Sequence, residues 1–278
     1  NTALGASALT TNSTGADNVA IGKDALKDST TASYNTAVGT LANENNTTGH
    51  SNVAVGRAAL NENETGSYNV AIGRSALLAN TADYNTAVGY TALATNTTGD
   101  NNVALGYQAL NANLTSSDNV AIGRGALLVN TTDNNVSIGK SSMESNTTGS
   151  GNTAVGKNAL QTNITTSSNT AIGYQALQAN VAVGNTAVGM EALKINSTGA
   201  QNVAVGVSAL IGNTTASYNT AIGREALTTN STGASNVAVG TDALQANTTG
   251  SNNVAIGHDA LDANQTHNNN IAIGSLTL

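Results

Sequence analysis

The 278-residue sequence contains no cysteine, proline, phenylalanine or tryptophan. The absence of cysteine excludes disulfide bonds and a cysteine nucleophile. Aromatic residues make up only 3% and charged residues only 9% of the chain, and both fractions are low for a globular domain. The hydrophobic core therefore has to be thin and built from Ala, Val, Ile and Leu.

The net charge of −7 results from 16 acidic and nine basic residues. Such a chain is not expected to bind nucleic acid through phosphate groups, because that binding depends on an excess of clustered Lys and Arg. The sequence also has no run of 18 apolar residues, so we expect no membrane span in this segment.

One short unit is repeated along the whole chain, with the consensus N-[TV]-A-[VI]-G-x-x-A-L-x-x-N-T-T-G-x-x. Seventeen copies follow one another, and their first asparagines run from Asn1 to Asn270. The unit is 17 residues long except in three 16-residue copies, which begin at Asn69, Asn119 and Asn169. A short fixed period predicts a stack of similar coils, so each residue is described below by its coil and its position within the unit.

The local sequence of the unit predicts two strands and two turns. Positions 2 to 5 combine a β-branched or apolar run with an invariant glycine, as in residues 103–106, and this is typical of a short strand. The Ala-Leu pair at positions 8 and 9 predicts a second strand, and N-T-T-G at positions 12 to 15 predicts a turn. We therefore expect an all-β fold with one domain over residues 1–278. It would be a parallel β-solenoid (β-roll) of seventeen 16–17-residue coils, roughly 80 Å long at one strand spacing per coil.

Both faces of the first strand are apolar, since positions 2 and 4 carry Thr, Val, Ile or Leu and positions 3 and 5 carry Ala and Gly. The second strand of the same coil would cover only one of these faces, whereas a strand apolar on both faces is expected to be buried on both. We therefore predict a homo-oligomer in which another chain covers the other face, with the small Ala and Gly residues allowing close approach. The residues alone leave the number of chains open.

Asparagine occupies positions 1 and 12 in nearly every coil, and stacking would place these residues in two columns. Stacked asparagines can form hydrogen-bonded ladders, and asparagine is also favoured in turns. Several position-12 residues form N-x-[ST] sequons, which can be glycosylated in secreted eukaryotic proteins: Asn12, Asn96, Asn146 and Asn247. The repeat consensus explains these sequons without glycans.

Position 6 concentrates cations and aromatic rings, including seven of the nine basic residues. Such a column suits sugars or anionic surface polymers. It also suits a solvated edge whose long side chains cover the coil or pair with acids of neighbouring chains. The candidate ligand-binding residues are Arg57, Arg74, Tyr90, Tyr107, Arg124, Lys140, Lys157 and Tyr174. The remaining tyrosines precede the first Asn of the next coil and are Tyr34, Tyr68, Tyr84 and Tyr218.

No catalytic set is recognisable in the sequence. The three histidines, His50, His258 and His267, are expected at turns or edges and away from acidic clusters. There is no G-x-S-x-G motif, and the glycines recur once per coil instead of forming a phosphate-binding loop. We therefore predict that the protein is not an enzyme and that it has no cofactor and no metal site.

The N-[TV]-A-[VI]-G strand with its small-residue turn, as at residues 18–22, 69–73 and 253–257, resembles the head repeats of YadA-like trimeric autotransporter adhesins. It is also similar to repeats of phage tail-fibre proteins. The likeness covers nearly the whole chain. It implies a left-handed parallel β-roll, a homotrimer, and a location on a cell surface or virion.

We therefore expect a non-enzymatic segment of an extracellular fibre that projects and mediates attachment, with cell-surface glycans or matrix as partners. The chain would be part of a longer fibre protein, because neither end carries a recognisable cap. One alternative is a self-assembling extracellular filament, since exposed strand edges can template pairing. Another is an ice-binding solenoid, since the Thr pairs at positions 13 and 14 form columns.

Overall fold

The structure, a computed structural model, describes residues 1–277. In this part of the chain, secondary structure consists of three-residue parallel strands joined by turns, one strand per coil. The chain divides into two compact units, Asn1–Asn135 and Val136–Leu278. Within the described residues, no helix is long and apolar enough to cross a membrane.

The first unit contains eight strands, which pair in chain order, each with the strand of the next coil. The register matches like positions, so that Ala104 of one coil lies beside Ala121 of the next. The strands are β1 (Thr2–Leu4), β2 (Val19–Ile21), β3 (Thr36–Val38), β4 (Val53–Val55), β5 (Val70–Ile72), β6 (Thr86–Val88), β7 (Val103–Leu105) and β8 (Val120–Ile122).

The second unit contains nine strands with the same consecutive parallel pairing. They are β9 (Val136–Ile138), β10 (Thr153–Val155), β11 (Thr170–Ile172), β12 (Thr186–Val188), β13 (Val203–Val205), β14 (Thr220–Ile222), β15 (Val237–Val239), β16 (Val254–Ile256) and β17 (Ile271–Ile273). The predicted all-β, parallel β-solenoid fold is thereby confirmed, while its left-handedness and the homotrimer stay predictions.

The predicted second strand is wrong, because positions 6 to 11 form turns. In coil 7 the backbone N–H of Ala109 donates to the Gly106 carbonyl at 3.3 Å, and that of Asn113 donates to the Leu110 carbonyl at 3.3 Å. Gln108 and Leu110 have φ values of 56° and 52°, in the left-handed region. Gln108 is the third residue of the first turn, and a positive φ at that place is characteristic of type II geometry, which bends the chain within a few residues.

The core of each coil is formed by inward columns of small and medium side chains. In coil 7, Asn102, Ala104, Ala109, Leu110 and Asn113 are all fully buried. The alanine at position 3 therefore faces the interior of its own coil. The expectation that this small residue allows another chain to approach is wrong. The two turns place the Ala-Leu pair at positions 8 and 9 inside the coil, where it covers the position-3 alanine.

The outward face of the strands consists of positions 2 and 4. In coil 7 these residues are Val103, which is 36% exposed, and Leu105, which is 44% exposed. In coil 5, Ile72 is 40% exposed, and the residues at positions 2 and 4 of coils 6 and 8 are half-buried. A half-exposed apolar face repeated from strand to strand is the feature that another chain would cover.

The predicted asparagine ladders are present. At position 1, the Asn52 N–H donates to the side-chain oxygen of Asn35 at 2.9 Å, and the Asn52 side chain donates to the Gly66 carbonyl at 2.8 Å. At position 12, the Asn113 side chain donates to the Asn96 side-chain oxygen at 2.9 Å. The two position-1 bonds satisfy buried backbone groups that the turns leave without strand partners.

The burial of the position-12 asparagines determines whether their sequons can carry glycans. The sequon residues Asn96, Asn146 and Asn247 are fully buried, and their amide nitrogens donate to carbonyls three residues later. A glycan on such a nitrogen would have to pass through the packed interior of the coil. The folded coil therefore excludes glycans at these three residues.

Candidate functional site

The position-6 residues form the cation–aromatic column, defined in the first unit by Arg57, Arg74, Tyr90, Tyr107 and Arg124. Each follows the invariant glycine that ends the strand and is the second residue of the first turn. All five side chains are exposed. Because coils are stacked in register, residues 16 or 17 apart in sequence become neighbours on the surface.

Four members of this column are in contact with one another. The rings of Tyr90 and Tyr107 are stacked, with centroids 5.6 Å apart and planes at 11°. The guanidinium carbon of Arg74 lies 5.7 Å from the Tyr90 centroid, and that of Arg124 lies 5.9 Å from the Tyr107 centroid. Cation–π contacts at this range hold each guanidinium beside a ring while its N–H groups stay open to solvent. The structure thus brings together four of the five predicted residues of the first unit into one surface.

In the second unit, Lys140, Lys157 and Tyr174 are likewise exposed. The Lys157 ammonium lies 5.7 Å from the Tyr174 centroid, which repeats the cation–π contact of the first unit on a smaller scale. The following position-6 residues, Met190 and Val207, are exposed apolar side chains. The cationic character of the column is therefore interrupted after Tyr174.

The arginines at position 6 differ in whether they form ion pairs with acidic residues. Arg224 pairs with Asp242 at 2.9 Å and also with Glu225. By contrast, within residues 1–277, neither Arg74 nor Arg124 forms an ion pair. These two guanidiniums keep their full positive charge available for an external anion, although the protein as a whole is acidic.

A second aromatic group lies at the other end of the strands. The rings of Tyr68 and Tyr84 stack at 5.0 Å with an interplanar angle of 2°, and His50 contacts Tyr68 edge-on at 4.8 Å. The sequence located the tyrosines but not His50. His50 is at position 16 of its coil, and Tyr68 is at the last position of the next coil. The two residues are diagonal neighbours, and the repeat pattern predicts contacts only between like positions.

His258 does lie beside acidic residues, contrary to the sequence-based expectation. Its Nδ1 atom is 2.9 Å from an Asp259 carboxylate oxygen, and one ligand atom each from Asp242, His258 and Asp259 lies within 4.8 Å of the others. These three residues could offer ligands to a divalent cation. The Arg224 guanidinium, however, already neutralises the Asp242 carboxylate.

One lysine outside the column has a perturbed pKa. The hydrogen bond from Lys27 to the Glu44 carboxylate, at 3.4 Å, raises the pKa of the Lys27 ammonium above its ordinary value. This half-buried pair lies at position 10 of coils 2 and 3, so it joins two adjacent coils and is not part of the candidate site.

No protein-family model matches the sequence, and no curated protein matches it.

Proposed function

We propose that this protein is a non-enzymatic structural and adhesive segment of an extracellular homotrimeric fibre, such as a bacterial surface adhesin or a phage tail fibre. The observation that carries the proposal is the half-exposed apolar face formed by positions 2 and 4 in both units. Burying this face between chains removes it from water, and closed cyclic symmetry lets each chain use the same face.

The attachment part of the proposal rests on the cation–aromatic column. Arginine and tyrosine are enriched at the centres of binding interfaces, and the stacked order of Arg74, Tyr90, Tyr107 and Arg124 reduces the entropy lost on binding. Its unpaired guanidiniums favour an anionic polymer, such as an acidic glycan of a cell surface or matrix. Displacement of counterions from such a polymer would drive association.

The ice-binding alternative is less compatible with the hydrogen bonds. Position-13 hydroxyls are already engaged, since Thr47 and Thr97 donate to carbonyls of the next coil at 2.8 Å. An ordered threonine array for ice needs both hydroxyl columns to face water. The filament alternative depends on exposed strand edges and not on the outward face. The solution-mass experiment described next distinguishes a filament from a trimer.

The assembly experiment measures the solution mass of the chain by light scattering coupled to size exclusion. We expect the mass of three chains. Replacing Ile72 and Leu105 on the outward face with lysine should lower the mass to one chain, because three sets of like charges would meet between the chains. A matched double substitution of the exposed turn residues Ala112 and Leu114 with lysine should leave the mass unchanged.

A single-chain mass for the unaltered protein would contradict the trimer, and a broad distribution of large masses would favour the filament. Retention of the three-chain mass in the Ile72→Lys, Leu105→Lys variant would show that another face makes the interface.

Binding to immobilised heparin tests the attachment surface. We expect the unaltered chain to bind more weakly as salt is raised from low to physiological levels. The double variant Arg74→Gln, Arg124→Gln should bind about tenfold more weakly, a loss of roughly 1.4 kcal/mol. Arg224→Gln is the matched control, because it removes a position-6 arginine that acids already neutralise. Equal losses in both variants would indicate a general charge effect and contradict a specific column.

A further inference from the structure

A surface cleft of about 330 Å³ lies on the turn side of coils 2 and 3 in the first unit. Its lining residues are Thr31, Ser33, Tyr34, Thr48 and His50. Ligand pockets in proteins begin at about 300 Å³, so this cleft has room for one small ring-shaped group. The cleft is formed by residues at positions 14 to 17 of the repeat, whereas the cation–aromatic column is formed by residues at position 6.

The cleft exists because one tyrosine is missing from a column. The last position of the coil is Tyr34 in coil 2 and Tyr68 in coil 4, but it is Ser51 in coil 3. Where tyrosines follow each other directly, as at Tyr68 and Tyr84, their rings stack at 5.0 Å and fill the space between coils. Tyr34 and Tyr68 are two coils apart, and the His50 ring occupies the part of this gap next to Tyr68, so that Tyr34 and His50 are the two rings that line the cleft.

The aromatic wall opposite Tyr34 is held in place by its neighbours. His50 packs edge-on against Tyr68 with planes at 86°, and its Nδ1 atom lies 3.3 Å from the Ser51 hydroxyl. Its backbone N–H also donates to the Ser67 hydroxyl at 3.1 Å. His50 therefore lines the cleft in a preorganised position, which reduces the entropy lost when a ligand binds.

The remaining lining groups are hydroxyls with unused hydrogen-bonding capacity. At position 13 the Thr30 hydroxyl donates to the Thr47 carbonyl, but the position-14 hydroxyls of Thr31 and Thr48 make no hydrogen bond within residues 1–277. The Ser33 hydroxyl oxygen accepts from the Ala16 N–H at 3.0 Å, which leaves its own hydrogen available to donate.

We propose that this cleft binds a single neutral pyranose ring, as the terminal sugar of a glycan. A pyranose has apolar C–H faces that pack against the electron-rich faces of aromatic rings, and hydroxyls at its edge that can exchange hydrogen bonds with Thr31, Ser33 and Thr48. No Lys or Arg lines the cleft, so a phosphate or sulfate group has no charged partner there. A purely aromatic ligand would leave the three hydroxyls without partners.

The site goes beyond the attachment function proposed above and does not depend on it. All its contacts come from one chain and from the first unit. A protein that is monomeric and does not bind heparin can still bind a sugar in this cleft.

Saturation-transfer NMR with the whole chain and methyl β-D-glucopyranoside tests the proposal. All substituents of this sugar are equatorial, so both ring faces present C–H groups. We expect saturation of the ring protons and a Kd of about 1 mM, as for a weakly binding ligand of this size. Ser51→Tyr should weaken binding at least about tenfold by filling the gap in the tyrosine column. The backbone accepts this change, since Ser51 has φ 57° and Tyr68 has φ 60° at the same position.

Ser235→Tyr is the matched control, because Ser235 occupies the last position of a coil in the second unit with φ 59°. It should leave the sugar signal unchanged. His50→Ser removes one wall and copies the serine found at the same position in coil 4, so it should also weaken binding. The proposal is overturned if the unaltered chain gives no saturation with the glucoside or with its galactose and N-acetylglucosamine counterparts. It is also overturned if Ser51→Tyr binds as well as Ser235→Tyr, or if p-cresol binds where the sugars do not.

Discussion

Replacing Gly156 with alanine is expected to open coils 10 and 11 locally and to lower their stability by about 3–5 kcal/mol. Gly156 has φ 136°, which L side chains rarely adopt, and a Cβ atom there would lie 2.3 Å from the Gly173 carbonyl oxygen. The obstacle is backbone that the neighbouring strand holds in place, so it cannot rotate aside as a side chain would. Backbone strain and overpacking each cost about 1–3 kcal/mol, and the two costs occur together here.

Hydrogen exchange of backbone amides, followed by mass spectrometry, measures this effect coil by coil. Peptides covering residues 153–172 should lose protection, while distant coils should change less, because each coil contacts mainly its neighbours. Gly151→Ala is the control: Gly151 has φ 63°, and a Cβ atom there would meet nothing within 4 Å. Similar protection in the Gly156 and Gly151 variants would contradict the steric argument.

Replacing Asn102 with serine is expected to destabilise the first unit by about 3–5 kcal/mol. The Asn102 side chain is fully buried, and its oxygen accepts from the Asn119 N–H at 3.1 Å. Its nitrogen donates to the Ser116 carbonyl at 2.8 Å. The shorter serine side chain cannot reach both groups, and each buried backbone group left without a partner costs about 1–3 kcal/mol.

The neighbouring residue offers a matched control for this substitution. Asn101 is exposed and has φ 57°, and serine occupies the equivalent position in coils 3, 10 and 14. Asn101→Ser should therefore change stability by less than about 0.5 kcal/mol. Urea unfolding compares the stability of the two variants. Hydrogen exchange of residues 102–121 measures the local effect of each substitution. Equal stability of the two variants would mean that the position-1 ladder adds little to the fold.

The sequence by itself determined the repeat, the parallel strand that occupies positions 2 to 4 of the predicted range 2 to 5, the register and the asparagine columns. A fixed period restricts how the coils can stack, because only the pairing of equivalent positions gives every coil the same contacts. In addition, β-branched runs closed by glycine favour strands. The members of the cation–aromatic column followed for the same reason. Residues such as Tyr90 and Tyr107, one unit apart in sequence, become neighbours when the coils stack.

Only the tertiary structure decided the path of the chain around each coil. Leu110 and its equivalents adopt a positive φ that leucine rarely prefers, because burial of the side chain and hydrogen bonds between coils compensate the local strain. Local sequence therefore predicted a strand where turns occur, and it assigned the position-3 alanine to the wrong side. The same limit explains why the contact of His50 with Tyr68, the cleft left by Ser51 and the pairing of His258 with Asp259 emerged only in three dimensions. They depend on where side chains from different positions meet, and a one-dimensional repeat does not contain that information.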